Sequence, residues 1–272
     1  KDVTEAYGFT STKWTLAAGA ADFNGDHYPE LFVANDYNVY EFYINEGGKK
    51  FVERGSHAAV GRIPKSGMNA SFGDINNEGM LGIYTTNITE KGILIQGNNY
   101  WQPKSPQSHD PLFVNLAGIA GIENAGWSYG AQFGDLNNDG FMDLYVANGF
   151  ISARKNSSYW YDYSKVTGGN SNIIGDARNW PDMEGKSQSG YQQDKIWVNN
   201  KDGLFEDASG KACPPATYDG RSVAMADLWN RGVLDVVVAN QNSAPLVYRN
   251  EANNPNHWID FDLHGHISNA DA

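Results

Sequence analysis

Short apolar runs, each closed by a polar turn, recur along the chain in one order. A first run, at 14–20, 68–72, 128–133 or 222–226, leads into an acidic loop rich in Asn and Gly. A second run leaves that loop and, in three of the four places, ends on Val33-Ala34-Asn35, Val146-Ala147-Asn148 or Val238-Ala239-Asn240. A third carries Tyr43-Ile44-Asn45, Trp197-Val198-Asn199 or the stretch from Leu246 to Asn250, and a Gly-containing turn takes the first two of these into a fourth. Runs this short, rich in Val, Ile, Tyr and Phe and bounded by turn residues, predict strands. Tight Asn/Gly turns between them predict antiparallel neighbours. One unit is therefore four antiparallel strands.

The acidic loops give the repeat its register. Their lead residues, Asp22, Asp74, Asp135 and Asp227, are 52, 61 and 92 residues apart. The widest gap holds an insertion at 150–192, and removing it restores a spacing of about 50 residues, the length of a propeller blade. Four-stranded units at this spacing predict an all-β chain, a β-propeller with four visible blades, over a β-sandwich with chance similarity. The blades occupy 1–255, and 256–272 reads as a last strand and the start of a following segment. Antiparallel connectivity puts the first-to-second and third-to-fourth strand turns at one end of each blade. The insertion then lies at the other end.

Composition agrees. The 30 Gly and 29 Asn are turn formers and work against long helices. A net charge of −12 argues against nucleic acid or an anionic membrane as partner, and no apolar run is long enough to predict a membrane span. Cys213 is the single cysteine, so neither an intrachain disulfide nor a cysteine-based zinc site is expected.

The loop pattern is Asp-x-Asn-x-Asp-Gly-x-x-Asp. Hard oxygens on alternating residues of a tight turn suit Ca²⁺, which takes six to eight of them at flexible angles. An EF-hand is excluded, because the twelfth position is Val33, Thr85, Val146 or Val238, each in a strand run rather than the required Glu. The third copy is complete: Asp135, Asn137, Asp139 and Asp143, with Gly140 at the turn. The first has Asp22, Asn24, Asp26 and Glu30, with His27 replacing the glycine. The second has Asp74, Asn76 and Glu78 but Gly82 at the ninth position, and is expected to bind weakly or not at all. In the fourth, Trp229 and Arg231 replace two ligands, and the guanidinium is expected to stand in for a cation between Asp227 and Asp235. Two occupied calcium sites, with a third possible, are expected to play a structural part. The alternative reading is solvated turn acids that bond only their own backbone.

Phe72-Gly73-Asp74 and Phe133-Gly134-Asp135, with the Val-Ala-Asn endings, resemble the FG-GAP/VCBS repeats of integrin-α-like propellers. Phrases such as the one from Asp2 to Gly8, and from Val114 to Gly121, resemble the secreted cartilage acidic protein-like group. The stretch from Asn256 to Gly265 is similar to the start of the ASPIC/UnbV module that follows the propeller there. The resemblance implies a seven-bladed ring of which four blades are visible; four blades closing alone, with 2–6 completing the last sheet, is the alternative. It also implies a calcium-binding, non-catalytic module that binds a protein partner or joins a larger assembly, in an extracellular or periplasmic setting. Some relatives are polysaccharide lyases or hydrolases, so a carbohydrate-active enzyme is the other functional reading.

Candidate contacts come from long loops, which rigid blades hold in place. The insertion carries Tyr159, Trp160, Tyr161, Tyr163 and Trp180 beside Arg154, Lys155 and Arg178, a composition suited to a protein contact or a glycan. The same rings could instead pack the loop on its own blades. A second long connection, 97–111, is expected at the calcium end with Tyr100, Trp101 and His109. No nucleophile elbow, His-Glu-x-x-His or phosphate loop is present. His264 and His266 make a poor metal pair. Asn69, Asn87 and Asn156 begin glycosylation sequons.

Overall fold

The computed structural model describes residues 1–106, 108–167, 176–212, 218–252, 256–259, 261 and 264. Blade 1 is β1 (Trp14–Ala21), β2 (Glu30–Asp36), β3 (Glu41–Asn45) and β4 (Phe51–Glu53), paired in that order, and a short α1 (Gly55–Ala58) follows it. Blade 2 starts with β5 (Ser71–Gly73) and β6 (Gly82–Thr85). A separate hairpin of β7 (Thr89–Glu90) and β8 (Leu94–Ile95) comes next, and β9 (Asn99–Pro103) and β10 (Phe113–Asn115) complete the sheet, with α2 (Ala117–Ala120) after them.

Blade 3 opens with β11 (Ser128–Gly134) and β12 (Asp143–Asn148). The chain then leaves to form β13 (Arg154–Ser158), α3 (Tyr159–Thr167) and β14 (Lys186–Ser187), and returns for β15 (Lys195–Asn199) and β16 (Phe205–Asp207), followed by α4 (Ser209–Ala212). Blade 4 shows three strands among the described residues: β17 (Gly220–Ala226), β18 (Asp235–Asn240) and β19 (Leu246–Tyr248). All pairing within the blades is antiparallel. The architecture is the expected all-β propeller of four blades.

Two expectations shift in detail. Tyr100 and Trp101 belong to β9, not to a loop, so the long connection at the calcium end begins only after Pro103. In blade 2 the first strand shrinks to three residues, although Met68 N–H still reaches the Thr86 carbonyl at 3.1 Å. Cys213, His266 and most of 256–272 lie outside the described residues.

The core is a series of seams between successive blades. Phe32, Phe42 and Phe23 of blade 1 meet Ile83 and Phe113 of blade 2. Tyr84, Tyr100 and Ile75 of blade 2 meet Phe133, Leu144 and Trp197 of blade 3. Tyr145 and Ile196 of blade 3 meet Val236 and Val238 of blade 4. Alternation along each strand sends odd and even side chains to opposite seams, so every interior blade is apolar on both faces.

The Phe-Gly pair has a mechanical meaning in these seams. The Phe133 ring of blade 3 lies on the backbone of Gly73 in blade 2, where an added Cβ would stand 2.6 Å from it. In the same way Met225 lies on Gly134, with its sulfur 2.5 Å from that missing Cβ, and Phe72 lies on Gly19. A large side chain of one blade thus needs a bare backbone on the blade before it. Gly73→Ala is expected to lower stability by about 1–3 kcal/mol through overpacking, read as a shift in the urea midpoint with the slope unchanged.

Candidate metal centres

Each acidic loop joins the first and second strands of a blade, and all four share one backbone path. Positions four and six are left-handed in every copy: Gly25, Asn77, Asn138 and Asn230 at φ 77, 56, 54 and 52°, then His27, Gly79, Gly140 and Gly232 at 70, 74, 89 and 76°. Gly and Asn tolerate this region best. His27 bears a side-chain strain there that the three glycines avoid. The lead carboxylate closes the turn by accepting the sixth-position N–H, at 2.9 Å for Asp22, 2.7 Å for Asp74, 2.8 Å for Asp135 and 2.5 Å for Asp227.

The ninth-position acids Glu30, Asp143 and Asp235 are fully buried. Each accepts the second-position N–H of its own loop, from Phe23 at 2.9 Å, Leu136 at 3.0 Å and Leu228 at 3.1 Å. Each also accepts from an asparagine N–H at the end of the third strand, Asn45 at 3.5 Å, Asn199 at 3.0 Å and Asn250 at 2.8 Å. Blade 2 has lost both parts together: Gly82 replaces the acid, and Pro103, which has no N–H, stands where the asparagine would be. The Tyr100 hydroxyl fills the space, 2.2 Å from where a Gly82 Cβ would stand, and donates to the Gly73 carbonyl at 3.1 Å.

What neutralises the buried acid differs between copies. In blade 4 the Arg231 guanidinium pairs with Asp235 at 2.5 Å and donates to the Asn250 carbonyl at 2.7 Å, so the expected cation substitute is in place. In blade 1 the Asn24 side-chain amide donates to Glu30 at 3.1 Å and to Asp26 at 3.2 Å, so a neutral group sits where two acids converge. Burial pushes the Glu30 carboxyl up, and the Asp26 and Asp22 charges add to the rise. In blade 3 burial raises Asp143 to about 6, with Asp135 and Asp139 adding to it. On the exposed rim Lys201 pairs with Asp139 at 3.5 Å, and among the described residues no ion pair is made to Asp143 itself.

The donor sets of blades 1 and 3 therefore fit a hard divalent cation in chemistry: four oxygen side chains each, with the buried ninth-position acid, Glu30 or Asp143, held ionised only at a cost. The side chains as placed are turned to their own backbone, and among the described residues no three Asp, Glu, His or Cys groups are gathered closely enough to hold a metal. Blade 2 fits poorly. Glu78 is exposed, and the Asn76 oxygen is buried against Gly203 of the next blade without a hydrogen-bond partner.

The insertion aromatics are brought into one cluster. Trp160 stacks beside Trp127, which stacks on Phe150 at 4.6 Å between centroids. Tyr163 meets Trp160 and Trp180 edge-on, and Tyr159 is 2% exposed. Only Tyr161 is presented to solvent, 65% exposed with Lys165 over its ring. The base is pinned by Asp219, which accepts from the Ser152 hydroxyl at 2.7 Å, and by Arg221, which lies over Tyr129 at 4.0 Å. Of the sequon asparagines, Asn87 is fully buried and bonded to Tyr40 at 2.5 Å. Asn156 is exposed on β13.

A family model described as an FG-GAP-like repeat matches residues 4–85, which contain blade 1 and the first two strands of blade 2. With the four-blade arrangement, this supports an FG-GAP β-propeller. No curated protein matches the chain. Among solved structures, the V. cholerae biofilm matrix protein Bap1 is similar over 93% of this chain at 15% identity and a TM-score of 0.35. The chain spans 42% of the length of that structure.

The acid in blade 3 yields a signed expectation. Its folded pKa lies above the ordinary value of 3.8, so as pH rises the unfolded chain releases this proton first. Without metal, ionising Asp143 then costs about 3 kcal/mol, accumulated between about pH 4 and 6. In chelator, Asp143→Asn is expected to gain that much on wild type over this window, measured by urea unfolding at each pH. Calcium is expected to remove the gain. Asp227→Ala tests the other role of these loops, since it opens a turn that needs no metal. Its melting temperature is expected to fall equally in chelator and in calcium.

Proposed function

We propose that the chain is a non-catalytic propeller module that binds Ca²⁺ through the loops of blades 1 and 3 and presents a rigid surface to a protein partner, outside the cytoplasm. The observation that carries this reading is the contrast at the ninth position. Asp235 has a guanidinium beside it, whereas Asp143, equally buried, has two further acids nearby and no ion-pair partner among the described residues. A hard divalent ion held by Asp135, Asn137, Asp139 and Asp143 supplies the missing charge. Asp22, Asn24, Asp26 and Glu30 do the same in blade 1, once the Asn24 amide turns its oxygen inward. In blade 2, Asp74, Asn76 and Glu78 form at most a weak third site.

The role is structural, because the ion ties the two inner strands of a blade at their shared corner. Millimolar affinity suffices in an extracellular or periplasmic setting, where modules of this affinity work. The FG-GAP likeness and the propeller scaffold favour protein binding, and the end of the molecule carrying the insertion is the surface for it, with Tyr161 as its exposed ring. No helix of the described residues is long and apolar enough to cross a membrane.

Calorimetric titration of chelated protein is expected to show calcium uptake at two sites. Saturation at about 100 times the dissociation constant is expected to add about 2.7 kcal/mol per site. Asp139→Ala is expected to remove one site and Asp26→Ala the other. A flat titration together with an unchanged melting curve would defeat the proposal. A polysaccharide screen separates the carbohydrate-active alternative, since turnover lost on Tyr161→Ala would favour it over a binding module.

A further inference from the structure

Blade 1 gathers an amine, a carboxamide and a carboxylate at the open end of its first hairpin. Thr15 of β1 stands opposite Asn35 of β2, and Glu41 of β3 stands opposite Val33. Thr15, Asn35 and Glu41 therefore share one face of the sheet, the face opposite to Phe32 and Phe42. Asn35 is fully buried and Glu41 is 3% exposed. Lys13, just before β1, places its Nζ 3.1 Å from Glu41 Oε1, and Asn35 Nδ2 donates to Glu41 Oε2 at 3.0 Å. One buried carboxylate thus bridges an amine and an amide nitrogen. The amide oxygen is held as well, since the Thr15 hydroxyl donates to Asn35 Oδ1 at 2.7 Å. The Tyr43 hydroxyl donates to Glu41 Oε1 at 3.0 Å, and the Phe9 ring packs on that of Tyr43 at 5.0 Å between centroids.

Part of this arrangement belongs to the repeat and part does not. Asn148, at the same place in blade 3, also accepts from a hydroxyl, that of Ser128 at 2.8 Å. It also donates to a turn carbonyl, Gln193 at 2.9 Å, as Asn35 does to Val39 at 2.9 Å. Those bonds account for the asparagine as the closer of a strand turn. They do not account for Glu41, whose place in the ladder is taken by Lys195 in blade 3 and Leu246 in blade 4. Burial works against the charge of Glu41, and the bonds from Asn35, Ser11, Lys13 and Tyr43 outweigh it, holding the carboxyl below its ordinary value. It stands beside the ammonium in the form that can accept a proton.

We propose that Lys13 and Asn35 join in an intramolecular amide bond, with Glu41 as the catalytic residue and no outside reagent. Glu41 takes a proton from the Lys13 ammonium, and the freed Nζ attacks Asn35 Cγ. The charge that develops on Oδ1 is stabilised by the Thr15 hydroxyl. Glu41 then passes its proton to Nδ2 and accepts a further proton from Nζ. The carbonyl re-forms, the Cγ–Nδ2 bond breaks, and ammonia leaves with the proton from Glu41 as ammonium. One C–N bond forms, one breaks, and nothing is oxidised or reduced. The product ties the β1–β2 hairpin at the end that the acidic loop does not hold, in a chain whose single cysteine forms no intrachain disulfide.

Mass spectrometry of the denatured whole chain, after incubation of the folded protein at neutral pH, tests this. The mass is expected to fall short of the sequence mass by one ammonia. Trypsin is expected to leave the bond after Lys13 uncut, and chymotryptic fragments holding Lys13 and Asn35 are expected to stay joined. Glu41→Gln and Lys13→Arg are each expected to show the full sequence mass, with a melting curve to establish that each folds. The wild-type readings decide the matter even where a variant does not fold. The proposal is overturned if the wild type keeps its full mass or is cut after Lys13. It is also overturned if the loss of ammonia persists in Glu41→Gln, or in Lys13→Arg, as a succinimide at another asparagine would make it.

Discussion

A carboxylate at the first position of each acidic loop holds a corner that the backbone alone would not keep. The turn has left-handed residues at two positions out of three, and its N–H groups point inward, away from any strand partner. The lead aspartate satisfies them, with bonds of 3.0–3.2 Å from the fifth residue in blades 1, 2 and 3 and shorter ones from the sixth in all four. Because a buried or half-buried N–H without an acceptor costs of order 1–3 kcal/mol, the aspartate matters even where no ion is conceivable. Blade 4 demonstrates it, with the same path around Asp227 although Arg231 occupies the cation's place. The corner in turn sets the angle between the two inner strands, and so decides which side chains each blade offers its neighbours.

Behind the corner lies a hole that two different groups fill. A carboxylate fills it in blades 1, 3 and 4, taking one N–H from the loop and one from the third strand. In blade 2 the carboxylate and one of those N–H groups vanish together, through Gly82 and Pro103, and the Tyr100 hydroxyl takes their volume. Losing only the acid would have left the third-strand N–H buried and unpaired, and losing only the N–H would have stranded a charge. The paired exchange avoids both. The seam between blades 1 and 2 shows a similar exchange of means. At the later seams Asn77 and Asn138 donate to the Gly140 and Gly232 carbonyls, and Asn199 and Asn250 to the Ile75 and Leu136 carbonyls, but Gly25 has no side chain to reach Gly79 and Pro103 cannot replace Asn199 or Asn250, so both kinds of bond are absent there. Phe23 supplies the adhesion instead, edge-on to Phe42, Phe72 and Phe113 at 5.3–5.9 Å.

Strand order, the four visible blades and the loop positions were legible in the sequence because they repeat, and a repeat of about 50 residues is hard to produce by any other architecture. The missing ninth-position acid of the second loop was legible too, from Gly82 alone. What takes the acid's place was not, because Tyr100 reads as one more aromatic until the ladder places it opposite Tyr84 and against Gly82. The Tyr-x-Asn and Trp-x-Asn endings of the third strand stood out as pattern, yet nothing local says that Asn45, Asn199 and Asn250 bond the loop acid; that contact spans 15 residues in blade 1 and 56 in blade 3. The insertion reads as an exposed aromatic surface from composition. In the fold its rings mostly bury one another, since Trp127 and Phe150, which flank them from blade 3, complete a stack that composition cannot reveal.

Asn199 joins two of these themes in one residue. Its backbone N–H donates to Asp143, the acid that most needs a cation, and its side chain donates to the Ile75 carbonyl in blade 2 and, at 3.3 Å, to the Met142 carbonyl of its own loop. Any ion drawn to Asp143 therefore pulls on a group already tied to the preceding blade. The carboxylate is a stronger acceptor when ionised, so keeping Asp143 charged tightens the Asn199 N–H bond and fixes the orientation in which its amide meets Ile75. Charge at one corner is in this way coupled to adhesion along the seam beside it. In blade 4 the same geometry runs through Asn250, but there the charge is supplied by Arg231 from within the chain. The two seams are thus built from the same asparagine in the same place, and differ in whether the chain itself supplies a cation for the acid that this asparagine meets.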